Sequence, residues 1–241
     1  LNYSVYNTMT GLVMDRNCLY RASTGVDVYW NGSPYLTISA LFSGTGTNGN
    51  SLMVDPHYYD PLTDLHGYGM EMNAAASPQA SVTTDIDGEP RDPATPDIGC
   101  DEFIPELWEE ALNTCSAADI IISTGSGIDQ WIYRDRKVVA RFNDNGQNLG
   151  AVTMDVYVNS GTVRQSLVGQ YYMDRNWHLS TQNTITGSVV LRLYHSGQEF
   201  LDYAAADPVV TIPSDAGVAH YVGLMERSEE RRVGKECFVP C

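Results

Sequence analysis

From Asp119 onward, apolar and polar positions alternate with a period of two. The segments "KVVARF" (137–142), "AVTMDVYV" (151–158), "TVRQSLVG" (162–169) and "SVVLRLYH" (188–195) all follow it. Val152, Met154, Val156 and Val158 fall on one face of a strand, as do Val189, Leu191 and Leu193 on another. The run "NDNG" between the first two segments reads as a hairpin turn, and "NSG" follows the second. Four or more amphipathic strands over residues 119–213 predict an antiparallel β-sandwich. "GQEFLDYAAADP" (197–208) adds one or two helical turns ended by Pro208.

Residues 1–104 are patterned differently. Short apolar runs such as "VDVYW" (26–30), "SLMVDP" (51–56) and "SVTTDIDG" (81–88) sit between turns rich in Gly, Asn, Asp and Ser. No long helical period appears, and dense turn chemistry around short strands predicts a stacked β architecture. Between the two regions, Leu107, Trp108, Ala111, Leu112 and Cys115 recur at helical spacing behind Pro105. That spacing predicts a short amphipathic capping helix or a structured linker over 105–118.

Charge narrows the class of partner. The formal net charge is −16, which opposes a nucleic-acid backbone and anionic lipid alike. No run of about eighteen apolar residues exists to insert into a membrane. The chain starts at Leu1 with neither an initiator Met nor a signal peptide, so it reads as an internal piece of a longer protein. The last residues, "RSEERRVGKECFVPC" (227–241), hold four of the fourteen basic residues, and the sole other lysine is Lys137. This tail resembles a translated sequencing adapter, and residues 214–241 are set apart from the fold. Of the cysteines before it, Cys100 and Cys115 either close a loop of about fifteen residues, worth roughly 3 kcal/mol in the chain-entropy model, or remain two buried thiols.

Candidate chemistry is sparse. "GTGTNG" (44–49) matches the dinucleotide fingerprint by letter but lacks the strand before it and the helix opening from it. "TGSGI" (124–128) lacks the first glycine of a nucleophile elbow, and the five histidines show no zinc-protease spacing. "MDRN" occurs at 14–17 and 173–176 without any flanking repeat. Arg175 and Arg192 lie on apolar strands near Trp177, where buried or half-buried ion pairs with Asp155 or Asp174 are expected. Trp30, Tyr58, Tyr59 and Trp131 are candidates for stacking on sugar rings, with core packing as the alternative.

The densest cluster of acids is "DIDGEPRDPATPDIGCDEF" (85–103), with seven carboxylates in nineteen positions. An EF-hand fails here, because Gly88 comes fourth from Asp85 and the twelfth position is Pro96. No cofactor motif is present. Asp85, Asp87 and Glu89 could still bind calcium in a looser loop. The structural reading is a strand (82–86), a tight turn at Asp87 and Gly88, a Pro-braced crossing, and a final short strand (98–103). Arg91, flanked by carboxylates, pairs with one of them.

This stretch resembles the closing motif of bacterial right-handed parallel β-helix proteins, roughly D-x-D-G-x-x-R…P-D-I-G-A-x-E. Asp85, Asp87, Gly88, Arg91, Pro96, Asp97, Ile98, Gly99 and Glu102 match it, and Cys100 stands where Ala is common. "NSLMVDP", "DLH" (64–66) and "SP" (77–78) also look like the last coils of that family. Residues 128–206 are similar to a β-sandwich that follows such helices in large secreted proteins of Bacteroidota. The resemblance implies the terminal coils of a β-helix over 1–104 and a sandwich after it. It further implies an extracellular or cell-surface location and a polysaccharide or cell-surface glycan as the nearest partner class. Residues 1–104 carry three bases (Arg16, Arg21, Arg91) against thirteen acids, a net of −10, so a polyanionic substrate would be repelled. The expected function is therefore a non-catalytic spacer or carbohydrate- or partner-binding module. The alternative is the tail of a polysaccharide lyase or glycosidase whose catalytic coils lie upstream.

Overall fold

The computed structural model describes residues 3–5, 12–21, 28–108, 116–158, 161–166, 169–173 and 175–212. The chain divides into two compact units, Leu1–Pro105 and Glu106–Cys241. Both are β-rich, with small, mostly antiparallel sheets and two helices among the described residues. None of the helices there is long and apolar enough to cross a membrane.

In the first unit, β1 (Tyr3–Val5), β2 (Val28–Trp30) and β3 (Ser33–Tyr35) form one sheet. β1 runs parallel to β2, with Tyr3 opposite Val28, while β2 and β3 are antiparallel across Asn31-Gly32. Helix α1 (Ile38–Thr45) follows, its first turn capped by the Thr37 hydroxyl, which accepts from Ala40 N at 3.1 Å. Two turns of helix leave too short a period to be read from sequence. "GTGTNG" therefore ends a helix instead of opening one, the opposite polarity to a phosphate-binding loop. Leu41 of α1 packs with Leu19, Val28 and Trp30 in a small core. Strands β4 (Tyr58–Asp60) and β5 (Asp64–Gly67) form a separate hairpin.

Residues 14–19 lie alongside 47–52. Cys18 and Leu52 form a parallel bridge, Leu19 N donates to Leu52 O (2.8 Å), and Leu52 N donates to Asn17 O (2.7 Å). Buried Asn48 braces this contact, its Oδ1 accepting from Asn17 Nδ2 (3.2 Å) and Ser51 Oγ (3.0 Å). The strands expected at 51–56 and 82–86 shrink to such single bridges (Leu52, Val82, Thr84), and 98–103 has no strand. Side-chain oxygens take the ladder's donors instead: Asp85 alone accepts from the backbone of Asp87, Glu89 and Glu102.

The second unit holds two larger antiparallel sheets. One joins β8 (Asp129–Arg134), β9 (Lys137–Asn143) and β14 (Val190–Leu193), with β9 in the middle. The other centres on β10 (Gly150–Val158), which pairs with β6 (Ser116–Ala117), β7 (Ile121–Ser123) and β13 (Arg175–Thr181). A two-stranded ribbon, β11 (Arg164–Gln165) and β12 (Tyr171–Tyr172), and helix α2 (Gly197–Ala206) complete it. Ile132, Val139 and Phe142 from the first sheet share one buried cluster with Val152, Met154 and Val156 from the second. Leu191 and Leu193 pack against that cluster, as their period of two implied.

One expectation meets an extended chain at both ends, and another is corrected. Residues 105–108 and 116–118 are extended and form no part of a linking helix; residues 109–115 lie outside the described set. Leu107 bridges Val138 in parallel, Trp108 N donates to Val138 O (3.0 Å), and Val138 N donates to Glu106 O (2.8 Å). Trp108 is completely buried in this extended stretch. The correction concerns "NDNG". It makes a tight turn, with Asn145 and Gly146 both at positive φ, but β9 and β10 do not pair with each other. The turn carries the chain from one sheet to the other.

Candidate functional site

The acidic stretch 85–102 is held by its own carboxylates. Asp97 is buried; its Oδ1 accepts from Ala74 N (2.6 Å) and its Oδ2 from Phe103 N (2.9 Å). Glu102 accepts from Asp92 N and Asp97 N, each at 3.1 Å. Arg91, with 10% of its side chain exposed, pairs with Glu102 at 3.4 Å. Its fork also donates to the carbonyls of Gly99 (3.1 Å) and Asp97 (2.5 Å). Gly88 turns the chain at φ +85, a conformation that a side chain would strain. Burial pushes the Asp97 carboxyl up. At Asp85 burial acts the same way, but the N–H groups of Glu89, Glu102 and Asp87 outweigh it and hold the acid below its usual range. The expected salt link of Arg91 and the turn at 87–88 are both present.

Asp85, Asp87 and Glu89 do not converge as ion ligands. Among the described residues, the metal-competent cluster is instead His66, Asp87 and Asp101, whose ligating atoms lie within 4.8 Å of one another. Strand β5 presents His66, and its period of two puts Asp64 on the same face. The ring is gripped from both ends: Nδ1 contacts Asp64 Oδ1, and Nε2 meets Asp87 Oδ2 at 2.7 Å. Hydrogen bonds to Asp64 and Asp87 push the His66 pKa up to about 9. Burial, reinforced by the charges of Asp85 and Asp87, moves the Asp101 carboxyl up. Asp64, His66 and Asp101 escaped the sequence reading; the D-x-H alternation at 64–66 was the available signal.

Other sequence-derived candidates fare unevenly. Arg175 is fully buried and ion-paired, as expected, but with Glu199. Its Nε donates to Oε1 (2.9 Å), its Nη2 to Oε2 (2.9 Å), and its Nη1 to Trp108 O (2.9 Å). The guanidinium also lies 5.8 Å from the Trp108 ring and 5.9 Å from the Trp177 ring. Glu199 is at the same time the third residue of α2 in a capping box with Ser196. The S-x-x-E spacing at 196–199 signals that box. Asp155 takes His178 across the ladder (3.2 Å), and Asp174 lies outside the described residues. Arg192 is exposed and opposite Arg141 in the ladder. The alternation that turns Leu191 and Leu193 inward turns Arg192 out, so the buried pair expected of it is not formed.

Cys100 is a free thiol, its Sγ 3.7 Å from Leu65 O; Cys115 lies outside the described residues. Burial pushes the Cys18 thiol up to about 11, which keeps it unreactive. Of the aromatic candidates, Trp30 is in the core. Trp131 is flanked by the Arg141 guanidinium at 5.1 Å and the Tyr194 ring at 5.8 Å. Tyr58 is half-buried, and Tyr59 keeps 40% of its surface exposed beside Tyr68 and His66.

Asp144 was not foreseen. It is wholly buried, and accepts from Ser123 Oγ (2.9 Å) and from the N–H groups of Gly125 (3.0 Å), Gly127 (2.8 Å) and Gly146 (2.9 Å). A Cβ on Gly125 would meet Asn148 N at 3.1 Å, at a φ of +76 that already favours glycine. Burial raises the Asp144 pKa, yet the donors of Gly146, Gly127, Ser123 and Gly125 outweigh it and leave the acid below its usual range. No family model, curated protein or solved structure matches this chain.

Proposed function

We propose that this chain is a non-catalytic part of an exported bacterial cell-surface or secreted protein. In this reading the first unit closes a right-handed parallel β-helix. The second is a β-sandwich serving as spacer or as a carbohydrate- or partner-binding module. The observation that carries it is the use of the acids at 85–102. Asp85, Asp97 and Glu102 spend their oxygens on backbone N–H groups and on Arg91, which is stitching chemistry. A general acid or nucleophile needs an oxygen left for substrate. The parallel contacts of β1 with β2 and of Cys18 with Leu52 support stacked coils. The core shared by two antiparallel sheets supports the sandwich. For sugar contact, the candidate is Tyr59, which keeps 40% of its surface exposed.

The test is an assay of purified residues 1–226 against a panel of neutral and acidic polysaccharides, with a glycan-binding screen alongside. No turnover and at most weak binding, lost in Tyr59→Ala, is the expected outcome. Measurable cleavage would overturn the reading in favour of a lyase or glycosidase.

A further inference from the structure

The acids that stitch the first unit leave one side-chain group over. His66, Asp87 and Asp101 come from strand β5, from the turn after Asp85, and from the segment after Gly99, and they bring one nitrogen and two carboxylate oxygens within 4.8 Å of one another. The set is mixed, not merely acidic, and an imidazole with two carboxylates is a donor set suited to zinc-class ions. Ligands around a tetrahedral zinc at about 2.0–2.2 Å stand about 3.4 Å apart. The three atoms lie within 4.8 Å of one another, so the widest pair closes by at most about 1.4 Å. Nε2 and Asp87 Oδ2, now at 2.7 Å, part by about 0.7 Å, and the Asp87 side chain, 56% exposed, has room to move. Asp64 makes a further, separate contribution. It holds the far nitrogen, Nδ1, of His66, the placement by which an outer carboxylate orients a metal-bound imidazole.

We propose that His66 Nε2, Asp87 and Asp101 form a binding site for a zinc-class divalent ion, completed by water, with Asp64 as the positioning residue. The ion takes the place of the proton that now joins Nε2 to Asp87. It ties the β4–β5 hairpin to the closing turn, joining positions 66, 87 and 101 in one coordination sphere. Calcium is not the preferred occupant, because it takes all-oxygen shells of six or more ligands. This inference does not depend on whether the first unit belongs to a β-helix.

The experiment uses the full, tag-free chain, with zinc chloride in titration calorimetry and cobalt chloride as a spectroscopic probe. The expected result is one zinc per chain and weak visible cobalt bands without the intense near-ultraviolet band of thiolate ligands. His66→Gln and Asp101→Asn should each weaken binding at least tenfold. Asp64→Asn should weaken it about 10–100-fold without abolishing it, and excess calcium should not displace the ion. Circular dichroism of each variant separates loss of the site from loss of the fold. Asp101→Asn serves if His66→Gln does not fold. Unchanged zinc affinity in a folded variant of His66 or Asp101 would overturn the site, as would a thiolate band or binding only at millimolar zinc.

Discussion

Arg175 and Arg192 occupy similar places in the sequence, each on an apolar strand, and the structure predicts opposite fates for them. The telling perturbation is Glu199→Gln. It keeps the shape of the side chain and an oxygen able to accept from Ser196 N (2.7 Å here), so the start of α2 survives. It removes the negative charge facing Arg175, whose side chain has no exposure, while that of Glu199 retains 20%. Losing one partner of a buried pair costs about 3–5 kcal/mol, and the partial exposure of Glu199 places this case near the lower end. For a unit of roughly this size, about 3 kcal/mol corresponds to a fall in melting temperature of about 12 °C. Glu199→Ala should fall further, by about 1 kcal/mol, because it also removes the capping box. Arg192→Ala, on an exposed position, should stay within about 0.5 kcal/mol of the parent. Tryptophan fluorescence is the natural assay, since Trp108 and Trp177 flank the guanidinium. If Glu199→Gln melts with the parent, or Arg192→Ala falls as far, the account of the buried pair is wrong.

Asp144→Asn should cost about 3–5 kcal/mol, since it turns a donor toward Ser123, Gly125, Gly127 or Gly146 at a fully buried position; urea titration would measure it. Because the folded pKa of Asp144 is lowered, its contribution is fully present above its unfolded value of about 3.9. It is lost as pH falls through the lower folded value. Melts of parent and Asp144→Asn should therefore draw together only under strongly acidic conditions, and a gap that closes near neutrality would contradict this. Arg91→Lys, which loses the forked geometry to Glu102 and two carbonyls, should destabilise the first unit by about 1.5–3 kcal/mol, read by far-ultraviolet circular dichroism. Non-reducing peptide mapping should recover Cys100 as an alkylatable thiol, and recovery joined to Cys115 would show the loop to be closed.

What could be read from the sequence was local. The period of two at 151–158 and 188–195 named the inward faces correctly, because alternation is a property of any strand whatever its partner. The acids at 85–102 could be understood as a stitch because Asp, Gly, Pro and a lone Arg supply turn chemistry within a few residues of one another. What tertiary structure decided was pairing. "NDNG" has the residues of a hairpin, but Asp144 sank into a nest of donors from 123–127 and sent β10 to the other sheet, a choice made by residues some twenty positions away. "PELW" (105–108) opens a stretch of helical spacing, yet here an extended chain buries Trp108 and satisfies Val138. Arg175 found Glu199 from α2, not the nearby Asp155, because a side chain's partner depends on which elements pack beside it. His66 met Asp87 and Asp101 only once a hairpin and a turn more than twenty residues apart had come together. Periodicity and turn propensity act over a few residues, so they are written in the chain. Partners across an interior depend on the whole fold, since burial there makes an unmatched charge or donor too costly to leave.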